Sequence, residues 1–317
     1  MEKIIITGAA GFIGTNLARY FSENYEVILV DKLSNDDRWK NLVGIDVADY
    51  LDADLFINKL DAIKNIHTVI HMGACSSTTE QDARYLINNN YEYSKQLFQW
   101  CSKVSANFIY ASSAATYGSG SHGYDDNESL ITNLKPLNAY GLSKHMFDMW
   151  QMKQEDRPPQ VVGLKFFNVY GPYENHKGSM ASVALHAYHQ IKEDKVVRLF
   201  KSYNSMYEHG EQKRDFIYVK DVVETVNFFL KNQNNEGIYN VGTGKARTFN
   251  DLAYSVFNAL SLNPKIDFIP MPDGLIEKYQ YFTEANIDKL RNIGYQYPFT
   301  TLEDGVREYI EFLNNME

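Results

Sequence analysis

The stretch N-A-Y-G-L-S-K-H, residues 138–145, places a tyrosine and a lysine four positions apart. On a helix Tyr140 and Lys144 would share one face, one turn apart. A phenol beside an ammonium can take a proton from an alcohol and return it. Its pKa, near 10 in isolation, must first be drawn toward the working pH. Lowering it by about three units takes roughly 4 kcal/mol of preference for the phenolate. The pattern alone decides little in a chain with 23 tyrosines, because the same spacing also decorates solvated helices. Its surroundings have to supply the argument.

The surroundings begin at residue 3. K-I-I-I-T is a short β-branched run that reads as a buried strand, and it leads directly into G-A-A-G-F-I-G, with glycines at 8, 11 and 14. An amphipathic helix is expected from Phe12 to about Glu23, then a second strand, E-V-I-L-V-D, ending at Asp31. In such a βαβ unit Gly8 and Gly11 would let backbone amides approach a pyrophosphate, and Gly14 would let helix and strand pack closely. The spacing is G-x-x-G-x-x-G, so the context of strand, turn, helix, strand and acid carries the reading. Asp31 alone would suit the ribose hydroxyls of NAD. Lys32 and Arg38, in the polar loop D-K-L-S-N-D-D-R-W-K, would welcome a 2′-phosphate, so NADP is expected ahead of NAD. Solvated loop cations are the plain alternative.

Further apolar segments are expected as strands at Leu42 to Val47, Thr68 to His71 and Asn107 to Ser112, with a helix over Tyr91 to Val104. The alternation predicts an α/β fold, a Rossmann-like doubly wound parallel sheet with ligands at the carboxyl ends of its strands. The fourth strand is followed by H-M-G-A-C-S-S-T-T-E, small residues that leave room for a cofactor. His71 reads as a core histidine and Cys75 as a packed residue. The fifth strand ends in Y-A-S-S-A-A-T-Y-G, which puts Ser113 at the same edge as Tyr140 and Lys144.

Composition sets limits. A formal charge of −9 argues against a general nucleic-acid binder, so an anionic ligand must be met by local cations or backbone amides. No run approaches the roughly 18 apolar residues of a membrane span, and the N-terminus has no signal-peptide layout. Cys75 and Cys101, two cysteines in all, form neither a disulfide framework nor a metal spacing, and no metal is expected. A cytoplasmic protein is the natural expectation.

Together, G-A-A-G-F-I-G, the Ser113…Tyr140…Lys144 constellation, F-N-V-Y-G-P at 167–172 and R-D-F-I-Y-V-K-D-V at 214–222 resemble the extended short-chain dehydrogenase/reductases, the NAD-dependent epimerase/dehydratase enzymes of nucleotide sugars. More narrowly, A-C-S-S-T-T-E, Y-A-S-S-A-A-T-Y-G and N-V-Y-G-P-Y-E-N-H-K-G-S-M-A-S are similar to the branch that epimerises ADP-linked heptose at C6. The resemblance implies a nucleotide-sugar substrate and transient oxidation by tightly bound NADP, with hydride returned to the opposite face. It places Gly8, Gly11, Phe12, Ile13 and Gly14 at the pyrophosphate and Asp31, Lys32 and Arg38 at the adenosine ribose. Met72, Gly73, Ala74, Cys75, Ser76, Asn89 and Val169 would line the rest of the cofactor groove. Ser113, Tyr140 and Lys144 would form the catalytic group, with Lys144 also holding cofactor. Asn168, Ser179, His186, Arg214, Tyr279 and the run Phe200, Lys201, Ser202, Tyr203 match positions expected to face substrate, as does Ser113. A homo-oligomer, with a pentamer as the suggested form, is implied as well.

Epimerisation needs a proton donor or acceptor for each of two opposite hydroxyl orientations. Lys177, in Y-G-P-Y-E-N-H-K-G-S, matches the second acid–base group proposed for those enzymes. Binding of a diphosphate or the cofactor is its alternative role. Lys165 stands where the superfamily often has arginine, and the segment 203–213 is longer than expected. A sugar 4,6-dehydratase would need acids after Ser113, where Ala114 and Ala115 stand. A UDP-sugar 4-epimerase and a non-catalytic dinucleotide sensor remain the rival readings. The expected domains are 1–170 with 211–243 for the cofactor, and 171–210 with 244–317 for substrate. Within the second, helices are expected at 180–193, 248–257 and from a Thr300–Glu303 capping box onward.

Overall fold

A computed structural model describes residues 1–272, 274–276 and 279–316; Asp273, Glu277, Lys278 and Glu317, which the expected substrate lobe includes, lie outside them. Seven strands form a wholly parallel sheet: β1 (Lys3–Thr7), β2 (Glu26–Asp31), β3 (Asp49–Asp52), β4 (Ile66–His71), β5 (Asn107–Ser113), β6 (Val161–Phe166) and β10 (Gly237–Val241), in the order β10-β6-β5-β4-β1-β2-β3. Alternation along a strand explains the layering. Ile4 and Ile6 of β1 enter one core with Leu17 and Phe21 of α1 (Phe12–Phe21) and Val222 and Val226 of α7 (Val219–Lys231). Ile5 enters the other, with Phe98 of α4 (Tyr93–Val104) and Phe147 of α5 (Ala139–Gln151). A strand buried on both faces has to be apolar throughout, as K-I-I-I-T is.

The remaining elements gather beyond the carboxyl ends. β7 (Asn168–Tyr170), β9 (Lys213–Tyr218) and β11 (Ala246–Thr248) make a three-stranded sheet, while β8 (Val197–Phe200) pairs with β12 (Ile266–Ile269). Helices α6 (Val183–Asp194), α8 (Phe249–Ala259) and α10 (Leu302–Met316) share an apolar core with them. Short helices α2 (Ala53–Lys59), α3 (Ala83–Leu86) and α9 (Asp288–Asn292) complete the set, and a π-turn, Ile87–Glu92, joins α3 to α4. Among the described residues no helix is long and apolar enough to cross a membrane.

Two local expectations change. The run Leu42 to Val47 is not a strand: a 3₁₀ turn, Asp37–Leu42, and Gly44 at φ 78° carry it across the surface, and β3 follows at Asp49. Leu42, Ile45 and Val47 still pack on the core, which accounts for their apolarity without a ladder. The last helix is capped by Thr301 with Asp304, not by Thr300 with Glu303. Thr300 instead donates from its amide and hydroxyl to Asp221 on α7, at 2.9 and 2.8 Å.

Candidate active site

The β1–α1 turn is shaped for a close ligand. Gly8 has φ 66°, and a Cβ there would stand 2.7 Å from the Gly73 backbone; one on Gly14 would stand 2.0 Å from the Gly8 carbonyl oxygen. No side chain caps α1, whose N-cap is Gly11, so its first amides face the cleft free of side-chain partners. These features fit a pyrophosphate.

At the end of β2, Asp31 accepts from the Ala10 and Lys32 amides, both at 2.7 Å. Arg38 lies 3.4 Å from Asp31 and grips Asp36 through Nε at 2.9 Å. Lys32 pairs with Asp54 at 2.5 Å. Asp36 and Asp54 therefore belong to the site although sequence reasoning passed over them. Asp36, the side-chain cap of its 3₁₀ turn, had a signal in N-D-D-R; Asp54, 22 residues beyond Lys32, had none.

The segment after β4 is strung between buried groups. His71 bonds Thr7 Oγ1 through Nδ1 at 2.7 Å and Ser94 Oγ through Nε2 at 2.9 Å, and burial holds its pKa down to about 3, so the ring is neutral. Thr7 Oγ1 in turn accepts from the Gly73 amide. Asn90, inside the π-turn, accepts from the Cys75 amide and donates to the Cys75 carbonyl and Ser143, whose hydroxyl donates to the Tyr140 carbonyl. Met72, Gly73, Ala74, Cys75, Ser76 and Asn89 all line the cleft.

The cleft, about 870 Å³, runs from Asp31 past Gly8, Gly11, Phe12, Ile13 and Gly14 to Ser113, Tyr140, Lys144, Asn168, Val169, Lys177 and Arg214. Ser113 is the last residue of β5 and Tyr140 the second of α5, whose N-cap Asn138 accepts from the Gly141 amide at 2.7 Å. Lys144 is buried and donates to the Ala111 carbonyl at 2.9 Å. Burial lowers its pKa to about 8 against the opposing charge of Asp148. Burial also raises the Tyr140 phenol, and a hydrogen bond with Ser113 opposes the rise. Loss of water and Ser113 are thus the leading influences on the phenol, and the expected depression by Lys144 is not among them.

Lys177 comes from the 3₁₀ turn Asn175–Met180, broken at Gly178, with its ammonium 5.3 Å from the centre of the Phe12 ring. Burial lowers its pKa, opposed by Glu174. Arg214 lies against the rings of Tyr279 and Phe249, at 5.1 and 5.6 Å, and donates to the Gln280 carbonyl.

Other substrate-side residues stand apart. Ser179, His186, Phe200, Lys201, Ser202, Tyr203 and Tyr279 are not among the described residues that line the cleft; Tyr279 lies against Arg214, which does line it. The Ser202 amide donates to His209, and the Tyr203 amide to the Tyr281 hydroxyl, so this loop closes on its own neighbours. His176, Met180, Ser182, Gln280 and Thr283 line the cleft instead. His176 was visible inside the quoted N-H-K-G motif; Gln280 and Thr283 carried no local signal. Among the described residues no group of three or more His, Cys, Asp or Glu could hold a metal.

Residues 4–242 match the model of the NAD dependent epimerase/dehydratase family. The chain is 50% identical over 311 residues to an ADP-L-glycero-D-manno-heptose-6-epimerase of Nitratidesulfovibrio vulgaris (strain DP4), covering 96% of both. It is 48% identical over 321 residues to one of Fusobacterium nucleatum subsp. nucleatum, covering 97% of both. Among solved structures, the Helicobacter pylori ADP-L-glycero-D-manno-heptose-6-epimerase superposes with a TM-score of 0.83 at 30% identity, over 99% of this chain and 96% of that one. A UDP-N-acetylglucosamine 4-epimerase from Methanobrevibacter ruminantium M1 shares the fold, with a TM-score of 0.82 at 22% identity, covering 100% and 99%. The chain belongs to the NAD dependent epimerase/dehydratase family.

Proposed function

We propose that this member of the family interconverts ADP-D-glycero- and ADP-L-glycero-D-manno-heptose by inverting C6 of the heptose. One observation carries the reading: two desolvated acid–base candidates, Tyr140 from α5 and Lys177 from the turn after β7, line a single cleft with the dinucleotide turn. The heptose epimerases that share half of its residues supply the substrate.

NADP is the cofactor these residues fit, and when bound it would supply a reversible hydride acceptor for C6. Amides at the start of α1 would hold its pyrophosphate and Asp31 its ribose. For the 2′-phosphate, Arg38 and Lys32 exchange Asp36 and Asp54 for a stronger anion. Arg38→Ala should lower the preference for NADP⁺ over NAD⁺, read as a ratio of dissociation constants, by about tenfold. An unchanged ratio would remove Arg38 from that role.

On the sugar, Tyr140 takes the C6 hydroxyl proton in one orientation, steadied by Ser113, with Lys144 supplying positive charge beside the phenol. In the other orientation Lys177 does so; its lowered pKa makes the neutral amine accessible. Ala114 and Ala115 line the cleft after Ser113, so no carboxylate there can pull a proton from a neighbouring carbon, as dehydration requires. Residues 1–170 and 211–243 form the cofactor side on this reading, and 171–210 with 244–317 the substrate side.

The test is direct. Purified protein given ADP-D-glycero-D-manno-heptose, without reductant, should yield a mixture of C6 epimers by NMR and leave UDP-glucose unchanged. Epimerised UDP-glucose beside untouched ADP-heptose would overturn the reading.

A further inference from the structure

Beneath Tyr140 and Lys144, the same face of α5 carries a third polar residue, Asp148, four positions beyond the lysine and completely buried. Its carboxylate meets three groups from the central sheet. The Tyr110 hydroxyl donates to Oδ1 at 2.9 Å, and the Ser112 hydroxyl donates to Oδ2 at 2.7 Å. The Lys165 ammonium of β6 lies 3.5 Å from Oδ2. Lys165 also donates to Thr116 at 2.8 Å, and Thr116 donates to the Ser113 carbonyl at 2.8 Å. The neighbouring strand leaves space for this arrangement: a Cβ on Gly163 would come within 2.5 Å of the Tyr110 hydroxyl oxygen.

The positions on β5 alternate. The Tyr110 and Ser112 hydroxyls turn inward to Asp148, while Ala111 and Ser113 between and after them line the cleft, whose wall buried Ser112 also reaches. Tying the inward pair to one carboxylate fixes the register of the outward pair. The Ala111 carbonyl is what holds Lys144 at 2.9 Å. A carboxylate sealed from water is costly unless its oxygens are bonded, and here both are. Leucine would fill the space without that cost, which leaves the task of holding β5 against α5 as the reason for a charge.

We propose that Asp148 is a positioning residue that clamps the end of β5 to α5, so that the Ala111 carbonyl and Ser113 hold Lys144 and Tyr140 in register. It touches neither substrate nor cofactor. The proposal rests on the reading of Tyr140, Lys144 and Ser113 as the catalytic group. Groups facing the Lys144 ammonium are Asp148 from its own helix, His71 from the end of β4 and Cys75 from the segment after it. Of these, Asp148 is the anion that supports the charged lysine from below.

Three folded variants, checked by circular dichroism and thermal unfolding, test it. Asp148→Asn should lower kcat about 10- to 100-fold, with KM for the nucleotide sugar within about threefold, because the loss is in register. The alkaline limb of its kcat–pH profile should also move down by roughly one unit as an anion is withdrawn from Lys144. Should Asp148→Asn fail to fold, Tyr110→Phe with Ser112→Ala keeps the carboxylate and removes both ties. That pair should lower kcat about tenfold with the pH limb unmoved. Wild-type kcat in the double variant, or losses spread equally over kcat and KM with no shift of the limb, would overturn the clamp. A fully active Tyr140→Phe would instead overturn the underlying site reading, so the two failures are distinguishable.

Discussion

The two sides of the cleft are built differently. Tyr140 and Lys144 ride on α5, a thirteen-residue helix laid on the central sheet, tied to it through Asp148 and Lys144 itself and to the π-turn through Ser143. Lys177 rides on a six-residue 3₁₀ turn interrupted by Gly178 at φ 54°. Buried Glu174 before that turn accepts from the Ser182 amide and hydroxyl beyond it, at 2.7 and 2.5 Å, and His176 within it meets Asn41 at 3.5 Å. One wall is fixed by periodic structure, the other by a short turn clasped at its ends. On the proposed roles, a rigid wall suits the group that meets the C6 oxygen in one fixed orientation. A short anchored turn suits a group that serves one sugar orientation and lets the sugar rotate between half-reactions.

Mutations on the two walls should therefore differ in kind. The largest loss is expected for Tyr140→Phe, which removes the proposed proton acceptor from the rigid wall. kcat should fall by about 10³-fold or more with nucleotide-sugar affinity kept, in steady-state kinetics and a binding titration. Lys177→Met comes next, with about a hundredfold loss of epimerisation. It should still exchange hydride with one epimer, seen as a transient absorbance of reduced cofactor, since only one orientation loses its partner. Equal loss of both half-reactions would show the walls doing the same job.

The next effect is on stability. Burial has lowered Lys144 to about 8 from 10.5, so below pH 8 the folded chain carries a buried ammonium that the unfolded chain keeps in water. Between about pH 8 and 10.5 the folded state sheds that proton while the unfolded state retains it. The unfolded state then binds more protons, and stability rises with pH across that window. Lys144→Met lacks the group. It should exceed the wild type by about 1–3 kcal/mol in urea unfolding at pH 7 and lose the advantage as pH approaches 10.5. A gap that stays constant with pH would mean that the lysine is not strained by burial. The smallest effect belongs to His186→Ala, outside the cleft wall, with kcat/KM within about twofold.

The same contrast governs what could be read from the sequence. Gly8, Gly14, Asp31, Ser113, Tyr140 and Lys144 sit at strand ends or on a helix face, where periods of 2 and 3.6 fix directions from spacing alone. Asp36 and Asp54 enter through ion pairs across a loop, and no period announces those. Asp148 was on a legible helix face, but its partners Tyr110, Ser112 and Lys165 lie on two strands brought together by the sheet. Gln280 and Thr283 reach the cleft from a segment more than a hundred residues beyond Tyr140. The run Leu42 to Val47 shows the converse error: apolar residues that pack from a turn imitate a strand.

Departure of hydrogen from C6 and its return within one cleft are tested most directly with ADP-heptose deuterated at C6. Turned over in ordinary water and followed by mass spectrometry and NMR, the inverted product should keep its deuterium. Inversion accompanied by replacement of that deuterium with solvent hydrogen would contradict that return.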